Sequence, residues 1–222
     1  MTSSPAAILF DMDGTLIDSE GLWLKAEITV MSELGATWTD EDQAYCLGGP
    51  LERVVDYMLQ RSASLEPPSF VMDRLLDTME EYFRQSPLSW RPGARGLLAE
   101  ARHRGVPTAL VSASWNRLID AVSAKIDDDL GMRAFDVVVA GDDVANSKPH
   151  PEPYLTAAEL LGVLPRECLA LEDSPTGVES AMAAGCRVIA IPHIADVDAR
   201  RALVVDTLEG WSVDELWAAA PA

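Results

Sequence analysis

Ala6-Ala7-Ile8-Leu9-Phe10-Asp11-Met12-Asp13-Gly14-Thr15 is the stretch from which the rest of the chain is read. An apolar run of strand length ends on two aspartates separated by one residue, and a glycine follows. Residues two apart on an extended segment point the same way, so Asp11 and Asp13 address one ligand, and Gly14 permits the turn that ends the strand. Two carboxylates held that close disfavour each other unless a cation or a shared proton relieves them. The site therefore calls for a metal, a proton-transfer role, or both.

Further short apolar runs recur at Thr108–Val111, Val137–Ala140, Cys168–Leu171, Val188–Ile191 and Leu203–Val205, with helical periodicity between them. Alternating strands and helices predict an α/β fold, a doubly wound, Rossmann-like parallel sheet covered on both faces. Ala94, Leu97, Leu98 and Ala101 mark one helix stopped by Gly105, and another is expected from Pro175 to Gly185. The rhythm breaks after the first strand. Leu51, Val54, Val55, Met58 and Leu59, then Met72, Leu75, Leu76, Met79 and Phe83, form helical stripes with no buried strand among them. Gly48-Gly49-Pro50 and the polar stretch Ser62–Ser69 join them. The chain thus divides into a core domain of residues 1–17 and 87–222 and an inserted helical domain of residues 18–86, joined near Ile17-Asp18-Ser19 and Ser86-Pro87.

The formal charge of −19 repels polyanions and anionic surfaces, which argues against nucleic acid and membrane partners. A phosphate-bearing ligand would need a local cation to hold it. Cys46, Cys168 and Cys186 lack metal-ligand spacing and read as reduced thiols. With no apolar leader and no membrane span in view, a cytoplasmic protein is expected, and no long amphipathic seam contradicts a monomer. His103, His150 and His193 share no ligand or triad spacing and are assigned structural or exposed positions.

Four clusters fall at strand exits, where a doubly wound sheet places its ligand crevice. They are Asp11-Met12-Asp13-Gly14-Thr15, Ser112-Ala113-Ser114, Lys148-Pro149 and Glu172-Asp173-Ser174-Pro175-Thr176-Gly177. Taken alone, each has an ordinary reading: a solvated turn, a pair of helix caps, a surface lysine, an acidic helix start.

In this order, and with the helical insertion after the first, the four clusters resemble the motifs of the haloacid dehalogenase superfamily, in particular its helical-cap phosphatases and beta-phosphoglucomutase-like enzymes. The resemblance implies that Asp11 is a nucleophile that takes the phosphoryl group as an aspartyl-phosphate, and that Asp13 is the general acid and then the base. It implies Mg²⁺ held by Asp11, Asp13 through its carbonyl, Glu172 and Asp173, with Lys148 as a second positive charge. Ser112, Lys148 and the N–H groups of Met12 and Ala113 would bind the phosphoryl oxygens. Trp23, Gly48, Gly49, Arg53, Ser114, Trp115 and Asn116 are candidates for the substrate pocket.

The expected function is therefore Mg²⁺-dependent hydrolysis of a small phosphorylated metabolite such as a sugar phosphate. The alternative is a phosphosugar mutase. Against it, the cap histidine, cap arginine and second-motif lysine of that pattern are matched here by Trp23, Leu51 and Trp115; Arg53 or Arg117 would have to replace the missing cations. A phosphonatase would use a cap lysine, for which Lys25 is the candidate, but Asp13 argues against it. A non-catalytic binding protein of the same fold ranks below the enzyme because every catalytic residue type is present.

Overall fold

Apolar runs without polar alternation suit strands covered on both faces, and that is where they lie in the computed structural model, which describes residues 4–46, 50–193, 197 and 202–221. The strands are β1 (Ala7–Phe10), β2 (Thr108–Val111), β3 (Val137–Val139), β4 (Cys168–Glu172), β5 (Arg187–Ala190) and β6 (Leu203–Val204). They form one parallel sheet in the order β3-β2-β1-β4-β5-β6. β1 sits centrally between β2 and β4, so the order reverses there and the crevice of the sheet opens beyond Phe10.

The helices among the described residues are α1 (Glu20–Glu33), α2 (Asp40–Cys46), α3 (Leu51–Ser62), α4 (Pro68–Gln85), α5 (Ala94–His103), α6 (Asn116–Leu130), α7 (Glu152–Leu161), α8 (Pro175–Ala183) and α9 (Val213–Ala219). Ala7, Leu9, Ala109, Val111, Ala170 and Val188 pack on one face of the sheet against Tyr154, Ala157 and Ala158 of α7 and Val178 and Ala181 of α8. Phe10, whose side chain alternates to the other face, meets Phe135 edge to face. Small residues at many of these contacts allow α7 and α8 to lie close to the strands.

Two details depart from the sequence expectation. The run at Leu203–Val205 is an edge strand in which Val204 is exposed, because only β5 flanks it. The stretch Ser62–Ser69 is a linker only in part: α4 starts at Pro68, since proline suits the first helical turn, where its missing N–H has no partner to lose.

The chain separates into two compact units, Met1–Asp18 with Leu88–Ala222, and Ser19–Pro87. Within the first, the outgoing and returning segments run side by side. Asp18 N–H donates to the Ser89 carbonyl at 2.8 Å, and Arg91 N–H to that of Leu16 at 2.8 Å. The second unit packs α4 against α1 on one side and α3 on the other, with Val30, Met31, Val54, Met58, Leu75 and Met79 buried. Its polar hub is buried Asp42, which accepts from Thr39 N–H and Oγ1, Tyr57 Oη and the Arg61 guanidinium, at 2.7–3.1 Å. These bonds join α2 to α3.

Glu27 of α1 is only 4% exposed and accepts a hydrogen bond from Trp38 Nε1 at 3.1 Å. Burial, helped by the nearby charge of Glu20, outweighs that bond and pushes its carboxyl up to about 7. A carboxyl with a raised folded-state pKa binds its proton more tightly when folded, so stability is full at acid pH and falls as pH rises from about 4.5 to about 7. Glu27→Gln keeps an oxygen for Trp38 and removes the charge. It is expected to raise stability at pH 8.5 by on the order of 2–3 kcal/mol and to change little at pH 4.5. Thermal melts of both proteins across that range check this, and parallel curves would refute it.

Candidate active site

Asp11 and Ser112 directly follow β1 and β2, Glu172 closes β4, and Lys148 lies in the loop between β3 and α7. Asp11 N–H still donates to the Leu171 carbonyl and Ser112 N–H to that of Val139, at 3.1 and 3.0 Å. Both side chains thereby emerge at the same end of the sheet, and both residues are buried. After Met12 the chain folds back at once: the Met12 carbonyl accepts from Leu16 and Ile17, and Gly14, at φ +82°, donates to the Ile17 carbonyl.

Lys148 joins three of the clusters. Its ammonium donates to Asp11 Oδ1 at 2.7 Å, Glu172 Oε1 at 2.5 Å and the Val111 carbonyl at 2.8 Å. Three acceptors use all three of its protons. The side chain is 4% exposed, so the charge lies away from solvent between the ends of β1, β2 and β4. Burial disfavours that charge, but Asp11 and Glu172 outweigh burial and hold the ammonium above its ordinary range. Burial, then the charge of Asp11, raises the carboxyl of Glu172, against the opposing pull of Lys148. Two buried carboxylates thus face a single ammonium.

Asp11 Oδ2 and Glu172 Oε2 are buried without a hydrogen-bond partner, and oxygens of Asp11, Glu172 and Asp173 lie within 4.8 Å of one another. An all-oxygen carboxylate set with unmatched negative charge suits a hard divalent cation such as Mg²⁺. The backbone is shaped to keep the acids there. A Cβ on Gly14 would fall 2.0 Å from Asp173 Oδ2, and one on Gly177 would fall 1.9 Å from Glu172 Oε2. At the start of α8, Ser174 Oγ accepts from Gly177 N–H at 3.1 Å, which orients the turn just after the two acids.

The second cluster reaches the first through Ser114, whose Oγ donates to Asp13 Oδ2 at 2.7 Å. Ser112 Oγ accepts from Ser114 N–H at 3.0 Å. Neither serine is the helix cap; α6 starts at Asn116 with Trp115 preceding it. Ala113 is exposed, and its carbonyl lies where a Cβ on Gly141 would be, 2.3 Å away. Asn116 holds the same loop from the other side, with its amide donating to Asp143 at 2.7 Å and to Asp142 at 3.3 Å. Met12 is wholly buried and Trp115 half-buried.

The remaining pocket candidates belong to the other unit. Trp23 lies half-buried on α1. Arg53 donates to the carbonyls of Tyr45 and Cys46 at 3.1 and 3.4 Å and lies over the Tyr45 ring, so it closes the C-terminal end of α2. Gly48 and Gly49 lie outside the described residues. His193 Nε2 is 3.7 Å from Asp18 Oδ1, and burial holds its imidazole below the usual range.

One residue of the cluster escaped the sequence reading. Tyr154, wholly buried on α7, donates its hydroxyl to Glu172 Oε1 and stacks its ring 5.3 Å from the Lys148 ammonium. Burial and the charge of Glu172 hold its phenol well above the usual range, so it remains a donor. A single tyrosine on an apolar helix face carries no signal that distinguishes it from core.

A family model described as haloacid dehalogenase-like hydrolase matches residues 8–191. Hexitol phosphatase B of Escherichia coli K12 is 36% identical over 193 residues, covering 84% of this chain and 83% of that protein. A phosphorylated carbohydrates phosphatase of Thermotoga maritima is 30% identical over 188 residues, covering 84% and 85%. The crystal structure of CbbY from Rhodobacter sphaeroides in complex with phosphate superposes with a TM-score of 0.83 at 28% identity, covering 96% of this chain and 99% of that one.

Lys148→Met would leave Asp11 and Glu172 buried without their ammonium. Breaking a buried pair on one side is expected to lower stability by about 3–5 kcal/mol at pH 8 with chelator present. Added Mg²⁺ should recover more melting temperature in the variant than in the unaltered protein. Equal melting temperatures with and without the lysine would show that the pair contributes nothing.

Proposed function

The chain belongs to the haloacid dehalogenase-like hydrolase family, and we propose that it is a Mg²⁺-dependent phosphatase of a small phosphorylated carbohydrate, a hexitol or sugar phosphate. One observation carries this reading: Asp11 is buried, bonded through one oxygen to Lys148, and left with the other unpartnered at the centre of an acidic cluster. A carboxylate oriented in that way is a nucleophile whose charge needs a cation before a phosphate dianion can approach it.

Asp11 attacks phosphorus and forms a carboxyl–phosphate bond as the phosphorus–alkoxide bond breaks. Asp13 gives its proton to the departing alkoxide, which leaves as the alcohol. Asp13, now ionised, takes a proton from water, whose oxygen attacks phosphorus, freeing the Asp11 carboxylate and inorganic phosphate. The hydrogen bond from Ser114 supports that role, because it fixes the carboxylate that must serve both steps. Lys148 holds Asp11 in line and offsets negative charge on the transferring group. Ser112 and the N–H groups of Met12 and Ala113 bind the phosphoryl oxygens. Asp11, Asp13 through its carbonyl, Glu172 and Asp173 would hold Mg²⁺, which when bound supplies charge neutralisation for nucleophile and phosphate together.

The inserted helical unit is the cap domain in this reading. Trp23 and Leu51 at cap positions where a mutase would carry histidine and arginine favour hydrolysis, since a bisphosphate would have fewer cations to anchor it.

Phosphate release with Mg²⁺ across hexitol phosphates, sugar phosphates, nucleotides and phosphoglycolate is the test. Turnover concentrated in the carbohydrate phosphates is expected, with Asp11→Asn reducing kcat by at least about 10³-fold while leaving the melting temperature close to that of the unaltered protein. A variant keeping a tenth of the rate would remove Asp11 from the nucleophile role. Conversion of beta-glucose 1-phosphate to glucose 6-phosphate without phosphate release would replace the phosphatase by the mutase.

A further inference from the structure

Lys148 is reached from an exposed loop, and its long side chain must deliver the ammonium to three acceptors. Lysine has four rotatable bonds, so the place of its head depends on how firmly its root is held. The root is held on both sides. Glu152, the first residue of α7, turns its carboxylate back along the chain. It accepts from Ala145 N–H at 2.8 Å through Oε1, and from Asn146 N–H at 3.0 Å and Asn146 Nδ2 at 2.8 Å through Oε2. Beyond the lysine, Ser180 of α8, which is wholly buried, donates to the His150 carbonyl at 2.6 Å. His150 N–H closes the turn on the Ser147 carbonyl at 3.0 Å. The loop is thus tied ahead of Lys148 to α7 and behind it to α8, the helix that opens directly after Glu172 and Asp173.

We propose that Glu152 is a positioning residue for catalysis: its carboxylate sets the root of Lys148 so that the ammonium meets Asp11 and Glu172 together, with Ser180 as its counterpart on the far side. The inference rests on the phosphatase reading of the site. Glu152 is partly exposed and takes no part in the apolar core, yet its carboxylate gathers three donors from two consecutive residues that precede the lysine. Those donors, with Asn146 foremost, hold the Glu152 carboxyl below its ordinary range, so it remains ionised in this role at neutral pH.

A residue that merely stabilised the fold would lower the melting temperature and act independently of Lys148. A positioning residue acts through it. Glu152→Ala, Glu152→Gln, Lys148→Met and the Glu152→Ala/Lys148→Met pair are assayed with Mg²⁺ below their melting temperatures. The readouts are kcat, KM and the inhibition constant of orthovanadate, a phosphate mimic. Glu152→Ala is expected to lower kcat by about 10- to 100-fold with KM within about twofold, the size of effect that a misplacement of the order of an ångström produces. Glu152→Gln, which keeps one acceptor oxygen, should recover part of the loss. In the Lys148→Met background the second change should add nothing to the loss of rate or of vanadate affinity. Equal effects of Glu152→Ala with and without the lysine would overturn the proposal, as would an unchanged kcat in the single variant. A Lys148→Met protein with undiminished turnover would instead remove the reading of the site, and this inference with it.

Discussion

The buried ammonium of Lys148 is the contact on which the arrangement of this site depends. It belongs to a loop between β3 and α7, yet it bonds to the residue after β1, to the last residue of β4 and to the last carbonyl of β2. A parallel sheet aligns its strands in register but does not by itself fix the loops that follow them. One point charge with three donors at the reversal of strand order brings three loops to one place. The same contact carries a standing imbalance, since two buried carboxylates share it and each keeps an oxygen without a partner. Folding alone does not neutralise the cluster, and a divalent cation would. A protein of net charge −19 gains nothing from its overall field in attracting a phosphate, so local positive charge decides binding.

Backbone shape matters as much as charge here. Gly14, Gly141 and Gly177 sit where any side chain would collide with Asp173, the Ala113 carbonyl or Glu172 respectively. Each glycine lets one of the clusters approach a neighbour within contact distance. At Gly14 the positive φ adds a second reason, since a Cβ would be strained even in open space. The glycines are therefore part of the site, acting by what they leave out.

Legibility from sequence followed the range of the interactions. β1, β2, β4 and β5 were visible because buried parallel strands are continuous apolar runs. The clusters after them were visible because an acid pair or a Ser-Ala-Ser behind such a run has no packing reason to be there. β6 misled in burial because an edge strand has the composition of a central one. The start of α4 was hidden because Pro67-Pro68 reads equally as linker and as helix entry. Tyr154, Glu152 and Ser180 carry no signal: each lies on a helix, at a spacing that suits core or solvent, and gains its meaning from a partner outside that helix. Arg53, a pocket candidate or else a residue of a solvated helix face, donates to the carbonyls at the end of α2.

The two units consequently differ in how much chemistry their sequences disclose. In the core unit the candidate residues lie at or just beyond strand ends that Lys148 ties together, so residue type and strand exit together mark them out. In the helical unit the most elaborate polar cluster, Asp42 with Thr39, Tyr57 and Arg61, is turned inward and fully satisfied, and it serves to fix α2 on α3. Buried carboxylates therefore mean opposite things in the two halves. Asp42 has donors for both oxygens and its pKa is held low by Arg61, which is the signature of a structural ion pair. Glu172 has one oxygen crowded with donors and one with none, beside a second carboxylate in the same state. It is the incompleteness of the hydrogen bonding, rather than burial or acidity, that separates a site built to receive something from one that is already closed.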